Sequence, residues 1–104
     1  MRRGEEVQVY ARVPAFKFDA KDIDAAIKLF QEKTLPQLRA VAGFKGATML
    51  VNRETGLVRT IVYWESREAL DSSFEPTKAL RAQFVNEFGA ELVSVEQFEV
   101  AVQV

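Results

Sequence analysis

The stretch GATMLVNRETGLVRTIVYW, residues 46–64, reads as a β-hairpin and decides the fold class. Two runs of β-forming residues flank NRETG, in which Gly56 suits the left-handed position of a hairpin loop. Side chains alternate along the second run, with Val58, Thr60, Val62 and Trp64 on one face and Leu57, Arg59, Ile61 and Tyr63 on the other. Because both faces are largely apolar, the hairpin is expected in a sheet covered on both sides.

A strand and a helix are predicted before the hairpin. Val7, Val9, Ala11 and Val13 alternate with Gln8, Tyr10 and Arg12, which indicates a strand with one apolar face that Pro14 should stop or bend. Asp19 is a candidate N-cap, and Gly43 suits the position after the helix end. Pro36 should kink or restart the helix. Its apolar face consists of Ile23, Ile27, Phe30, Thr34, Leu38 and Val41.

A broken helix and a last strand follow the hairpin. Ser66 can cap a helix that begins at Arg67, and SSFEP, residues 72–76, should break it. We interpret this break as a mobile segment over any cavity near Trp64. A second helical piece, from about Pro76, carries Leu80, Phe84 and Phe88 and ends at Gly89. The apolar parity changes within ELVSVEQFEVAVQV, residues 91–104, which predicts a long strand with a bulge or twist near Glu96 and Gln97.

The element order β-α-β-β-α-β predicts an α+β fold, the ferredoxin-like split βαβ, as a single domain over residues 1–104. Its antiparallel sheet would carry the helices on one face only. The other face would expose more apolar surface than soluble monomers normally do. We therefore expect a homodimer that packs sheet face to sheet face. The alternative is a mildly apolar face that solvent tolerates.

Composition narrows the range of functions. The net charge is −1 over 104 residues, without the basic patch of a nucleic-acid-binding protein. No apolar run approaches the ~20 residues of a membrane-spanning helix, and no signal peptide is recognised, so a cytoplasmic protein is expected. The chain has neither Cys nor His, which excludes thiolate nucleophiles, iron–sulfur ligation and the commonest base and metal ligand. Catalysis would rely on carboxylates, tyrosines, Lys, Arg or the substrate itself, and no metal or cofactor is expected.

Two segments resemble the antibiotic-biosynthesis-monooxygenase-like (ABM-like) group of dimeric α+β barrels. They are LRAVAGFKGATMLVNRETG, with the turn Gly43-Phe44-Lys45-Gly46, and TIVYWESREAL, with Trp64-Glu65-Ser66 at the strand end. The resemblance covers roughly residues 7–104 and implies a dimeric α+β barrel. The superfamily contains oxygenases, haem-degrading enzymes, isomerases and many members of unknown role, so the resemblance alone does not fix a function.

Three functions follow from this resemblance. The first is a small-molecule-binding or regulatory homodimer. The second is a cofactor-independent monooxygenase acting on a phenol- or quinol-type aromatic substrate, which needs an apolar pocket, a base and a donor for the developing enolate. Some oxygenase members carry an Asn in the strand neighbourhood that Thr60 occupies here. The third, haem degradation, is disfavoured because the first strand lacks the family's Asn and the chain lacks its His ligand.

The pocket candidates are Trp64 as an aromatic wall, Thr60 on the same strand face, Phe30 and Phe84 on the helices, and Arg81 as an oxyanion donor. Three of them also have an ordinary structural interpretation. Trp64 and Phe84 would be core residues, and Arg81 would be a solvated charge on an amphipathic helix. Arg12 and Tyr10 share the less apolar side of the first strand, and this pattern fits an interface as well as a ligand contact.

Overall fold

The computed structural model describes residues 9–104 as a four-stranded antiparallel sheet with helices against one face. Its sheet order is β2-β3-β1-β4, in which β1 lies between β3 and β4. This order confirms the predicted ferredoxin-like α+β fold. Val7 and Gln8 of the predicted first strand lie outside the described residues. The strands are β1 (Tyr10–Lys17), β2 (Phe44–Val51), β3 (Leu57–Trp64) and β4 (Glu91–Glu99).

The first helical region restarts at Pro36, as predicted. It comprises a 3₁₀ turn (Ala20–Asp22), α1 (Ile23–Leu29), a π-helical turn (Phe30–Thr34) and α2 (Leu35–Arg39). Asp19 caps the 3₁₀ turn, and its side chain accepts a 3.1 Å hydrogen bond from the backbone N–H of Lys21. The backbone N–H of Leu35 donates to the carbonyl of Phe30, five residues back, which closes the π turn. Pro36 therefore falls in the first turn of α2, where its missing N–H removes no helical hydrogen bond.

A second pair of helices covers the other half of the sheet. Helix α3 (Arg67–Ser72) begins at Ser66, whose side chain accepts a 3.0 Å hydrogen bond from the backbone N–H of Ala69, as predicted. Helix α4 (Lys78–Phe88) ends at Gly89, which has φ 66°. The helical conformation is interrupted between them at residues 73–77, which form turns. Helix α4 therefore begins two residues after the expected Pro76. No helix within residues 9–104 is long and apolar enough to span a membrane.

The hydrophobic core lies between the sheet and the helices. Alternate side chains of β3 define it: Val58, Thr60, Val62 and Trp64 are buried. Phe84 of α4 packs on Phe16 of β1 with ring centroids 5.4 Å apart. The remaining buried members are Phe18, Ile23, Ala26, Phe30, Leu38, Leu70, Leu80 and Ala90.

Two details of the strands differ from the prediction. Pro14 does not end β1; it pairs with Val95 of β4. The register with β3 passes from Arg12–Val62 to Ala15–Arg59, so the ladder tolerates the missing N–H of Pro14 on that side. The bulge in β4 is at Val93, because Ala15 pairs with Ser94 and Phe16 with Leu92.

The predicted bulge near Glu96 and Gln97 is wrong. A bulge there would be needed only if Val95 and Phe98 pointed to the same face of the sheet, and they do not. Val95 lies opposite Pro14 on the helix side, whereas Phe98 lies opposite Ala11 on the helix-free side. The strand is also shorter than predicted. It ends at Glu99, and one further hydrogen bond runs from Val100 N to Val9 O at 2.8 Å.

The helix-free side of the sheet, here called the open face, carries the apolar alternation that the sequence shows in β1. Cross-strand pairs put Ala11 beside Tyr63 and Phe98 on this face. Leu50 and Phe98 are each 49% exposed. The open face therefore presents large apolar side chains to solvent in the single chain.

Candidate functional site

A small cavity lies between the sheet and the helices. Its volume is about 30 Å³, which is room for about one or two water molecules. All five pocket candidates from the sequence border it: Phe30, Thr60, Trp64, Arg81 and Phe84. The other residues that line it are Arg12, Pro14, Phe16, Thr34, Leu38, Val62, Thr77 and Leu80.

Trp64 fits both of its interpretations. It is 1% exposed and packs edge to face on Phe44, with ring centroids 6.0 Å apart and planes at 78°. Glu65 follows it, and the backbone N–H of Glu65 donates to the Gly43 carbonyl at 2.9 Å. This bond ties the end of β3 to the turn before β2. Trp64 is thus a fixed core residue that also forms part of the cavity wall.

Arg81 is not the solvated charge that its amphipathic helix suggested. It is 8% exposed. Its Nη1 donates to Thr77 Oγ1 at 2.8 Å, and its Nη2 donates to the Phe74 carbonyl at 3.2 Å. Thr77 lies one helical turn before Arg81, where an i,i+4 side chain is an ordinary neighbour. The Phe74 carbonyl is available because the break between α3 and α4 leaves it outside a continuous helix, in which a backbone N–H four residues later would occupy it. Sequence periodicity cannot register such an arrangement.

Arg12 is a cavity residue that the sequence pattern does not single out as a pocket candidate. It is 2% exposed in the central strand. Its Nη1 donates to Ser73 Oγ at 2.7 Å, and its Nη2 donates to the Leu70 carbonyl at 2.6 Å and Gln97 Oε1 at 2.8 Å. Arg12 therefore joins β1, β4 and the end of α3. The structure places it on the cavity side of β1, away from the helix-free side of the sheet.

Phe74 contacts both guanidinium groups through its ring. Its ring centroid is 5.1 Å from Arg12 Cζ and 4.7 Å from Arg81 Cζ. Both distances allow a cation–π attraction. Phe74 belongs to the predicted break, which the structure confirms at residues 73–77. The mobility of this segment stays a prediction, although Ser73 and Thr77 within it are buried and hydrogen-bonded.

Burial dominates the electrostatics of both arginines. It lowers the pKa of Arg12 to about 10, with a smaller lowering from the like charge of Arg81 and an opposing effect of Asp71. Burial also lowers the pKa of Arg81, against the attraction of Glu75. Both groups remain charged near neutral pH because their ordinary pKa lies so high. Asp71 and Glu75 are exposed, and neither borders the cavity.

Three polar atoms around the cavity are buried without a hydrogen-bond partner in the described part of the chain. They are Arg12 Nε, Thr34 Oγ1 and Trp64 Nε1. The helical spacing places Thr34 on a buried face but does not mark it as a site residue. A signal is nevertheless present, because a hydroxyl at an otherwise apolar core position needs a partner.

The cavity does not fit haem. The sequence has no His or Cys, and no Met or Tyr among residues 9–104 lines the cavity, so none of the usual axial ligands is placed to hold the iron. Within residues 9–104, no group of three or more Asp or Glu side chains could hold a metal ion. The groups that the cavity does offer are hydrogen-bond donors, two cations and aromatic walls.

Sequence comparison finds relatives of undefined role. No family model matches the chain. It is 29% identical over 85 residues to the uncharacterized protein Rv2557 of Mycobacterium tuberculosis, an alignment that covers 82% of this chain and 38% of that protein. The chain thus spans about two fifths of the length of this curated relative.

Solved structures share the fold at low identity. The ActVA-Orf6 monooxygenase of Streptomyces coelicolor, in complex with nanaomycin D, superposes with TM-score 0.66 at 20% identity over 96% of this chain and 91% of its own. The heme-degrader MhuD of Mycobacterium tuberculosis, with two hemes in its active site, gives 0.66 at 20% identity over 91% and 98%.

A third structure, a dimeric ferredoxin-like protein from an uncultured marine organism, gives TM-score 0.66 at 12% identity over 92% of this chain and 97% of its own. Likeness at these identities concerns the fold. The expectation from the sequence resemblance is met at that level: the chain has the ferredoxin-like α+β fold of an ABM-like domain.

Proposed function

We propose that this chain is a small-molecule-binding protein that acts as a homodimer. The observation that carries the proposal is the convergence of Trp64, Thr60, Phe30, Phe84 and Arg81 on one buried cavity. Small-ligand sites are typically concave and apolar, with a few placed polar groups. Here the walls are aromatic and aliphatic, and the polar groups are two buried arginines and the buried threonine hydroxyls.

The present cavity is smaller than a typical ligand. Binding therefore requires the walls to move, and the break at residues 73–77 is the segment best suited to this movement. Phe74 is 37% exposed and contacts Arg12 and Arg81, two residues of the cavity wall. An outer groove of about 480 Å³, which includes Phe74 and Leu92, shares Arg81 with the cavity. We propose that the cavity enlarges towards this groove when Phe74 moves away from the two arginines.

The open face supports the homodimer. Leu50 and Phe98 expose about half of their surface there, beside the half-buried Ile61 and Tyr63. Burial of apolar surface drives association, and a twofold-symmetric pair would cover this face on both copies at once. A fold neighbour described as a dimeric ferredoxin-like protein is consistent with this arrangement.

Two measurements test the proposal. Light scattering after size exclusion should give twice the mass of the 104-residue chain at micromolar concentration. Phe98→Glu should weaken the dimer at least tenfold, whereas Ala25→Glu, which adds the same charge on the exposed side of α1, should not.

Thermal denaturation in the presence of a panel of small aromatic compounds should identify stabilising ligands, because a ligand that binds the folded state raises its stability. A monomeric chain, or a panel without stabilisers, would contradict the corresponding half of the proposal.

One observation favours a second candidate, a cofactor-independent monooxygenase. Trp64 and Arg81 border the same space, so a flat substrate against the indole could present an enolate oxygen to the guanidinium. With an anthrone as substrate, one oxygen atom of O₂ would bond to the methylene carbon. The other oxygen atom would leave as water with the two methylene hydrogens, and the product would be the quinone. Among residues 9–104, no Asp, Glu, Lys or Tyr lines the cavity to act as base, and this favours binding over turnover.

Oxygen uptake separates the two candidates. A monooxygenase should consume oxygen with anthrone and lose most of this activity in Trp64→Phe. A binding protein should bind anthrone-like compounds without oxygen uptake above the uncatalysed rate.

A further inference from the structure

The unpaired atoms around the cavity have one chemical character. Arg12 Nε and Trp64 Nε1 carry hydrogens that they can only donate, and the Thr34 hydroxyl can donate as well. Arg12 is 2%, Trp64 1% and Thr34 4% exposed, so all three are shielded from bulk solvent. A buried donor without an acceptor costs free energy. The three residues border the same cavity, and an acceptor placed in it could take hydrogen bonds from them.

The same cavity carries unbalanced charge. In the part of the chain that the structure describes, the acceptors of Arg12 and Arg81 are all neutral oxygens: Ser73 Oγ, Leu70 O, Gln97 Oε1, Thr77 Oγ1 and Phe74 O. Within residues 9–104, neither guanidinium forms an ion pair, and Asp71 is 3.5 Å from Arg67 instead. Two buried cations without a bound counter-ion are unfavourable, and an anion beside them would relieve the repulsion between them.

We infer that the cavity binds the anionic head group of a small organic acid, which accepts hydrogen bonds from Arg12, Thr34 and Trp64. The inference rests on the proposed small-molecule-binding function and names its ligand class. Room for one or two water molecules suits a head group of this size, not a whole ligand. Apolar walls from Phe16, Phe30 and Phe84 suit an aromatic body next to the head group.

Calorimetric titration with benzoate and benzamide tests the charge requirement. The two probes have nearly the same shape, and only benzoate carries the negative charge. At constant ionic strength, benzoate should bind at least tenfold more tightly than benzamide. Equal affinities, or tighter binding of benzamide, would overturn the inference.

Variants test whether the named donors carry the binding. Arg12→Met should lower benzoate affinity at least tenfold, but it also removes three structural hydrogen bonds. Thr34→Val is the sharper variant, because it preserves side-chain shape and removes only an unpartnered hydroxyl. It should weaken benzoate about threefold to tenfold and leave benzamide unchanged. Arg39→Met, on the exposed end of α2, is the matched control and should change neither affinity.

The outcomes separate this inference from the proposed function. If neutral aromatic compounds bind at the cavity and benzoate does not, the ligand class is wrong and the binding function stands. If no compound of either kind binds, both are overturned. If benzoate binds equally to the parent and to Thr34→Val and Arg12→Met, it lies at another place, and the anion site assigned to the cavity is wrong.

Discussion

Arg12 Nη1 donates a 2.7 Å hydrogen bond to Ser73 Oγ, which joins the central strand to the break between α3 and α4 across 61 positions of sequence. The same guanidinium bonds to the Leu70 carbonyl and to Gln97 of the edge strand. Arg12 is thus both a structural link and a wall of the cavity. These two roles have opposite effects on stability. The hydrogen bonds of Arg12 stabilise the fold, whereas the burial of its charge without an ion-pair partner among residues 9–104 is unfavourable.

Replacement of Arg12 should destabilise the fold. Arg12→Met removes three hydrogen bonds from a charged donor, and we expect the free energy of unfolding to fall by about 2 kcal/mol, because relief of the buried charge offsets part of the loss. Lys cannot reach acceptors on three elements at once, so Arg12→Lys should cost a similar amount. Chemical denaturation measures both. An unchanged midpoint for either variant would contradict the linking role, and exposed Arg39→Met should stay near the parent.

Two threonines of the cavity should respond in opposite directions to the same substitution. Thr34→Val removes a buried hydroxyl without a partner and should stabilise the ligand-free chain by about 1 kcal/mol. Thr77→Val removes the donor to Ser73 O at 2.7 Å and the acceptor for Arg81 at 2.8 Å, and should destabilise it by about 1–3 kcal/mol. Thermal and chemical denaturation compare the pair. If both variants lowered the free energy of unfolding, Thr34 Oγ1 would have a hydrogen-bond partner in solution.

Stability should depend little on the charge state of Arg12 near neutral pH. Burial lowers the pKa of Arg12 to about 10, so the folded chain holds this proton less tightly than the unfolded chain. Its burial cost is therefore fully present below pH 10, and the free energy of unfolding rises only as the pH increases beyond that value. The difference between the parent and Arg12→Met should stay constant within about 0.5 kcal/mol from pH 6 to 9. A steady slope over this range would mean that another titrating group is coupled to Arg12.

The turn before β2 requires glycine for space as well as for conformation. Gly43 has φ 87°, and a Cβ there would collide with the side chain of Ala69 in α3. Gly89 also has a positive φ, 66°, but a Cβ added to it would meet no atom within 4 Å. Gly89→Ala should cost about 1–2 kcal/mol for its left-handed backbone. Gly43→Ala should lower the free energy of unfolding by more than Gly89→Ala does. Equal decreases in chemical denaturation would show that α3 moves away from the added Cβ without cost.

The fold is largely readable from the sequence because alternation and helical spacing report burial directly. The two faces of β3, the caps at Asp19 and Ser66, and the restart at Pro36 all follow local rules. The bulge at Val93 and the passage of β1 through Pro14 depend on pairing with β4, and a single strand does not encode its partner's register.

The site is less predictable for the same reason. The five candidates share one cavity, but the sequence does not mark Arg12 and Thr34 as its neighbours, and Arg81 is buried where an exposed helix face is the ordinary expectation. Arg81 donates to the Phe74 carbonyl in the break between the helices. Arg12 donates to acceptors that lie 58 to 85 positions away in the sequence. The mobility of residues 73–77 remains a prediction. Amide hydrogen exchange faster there than in α4 would support it.

The central claim is that the cavity beside Trp64 takes the anionic head group of a small organic acid. Trp64 is the only tryptophan, so the indole N–H gives a single, unambiguous resonance in a ¹H–¹⁵N spectrum. Its Nε1 has no partner among residues 9–104. On titration with benzoate, this resonance should move downfield and saturate as the indole N–H donates to the carboxylate, whereas benzamide should leave it nearly unmoved. An indole resonance that stays fixed while benzoate binds would contradict the claim.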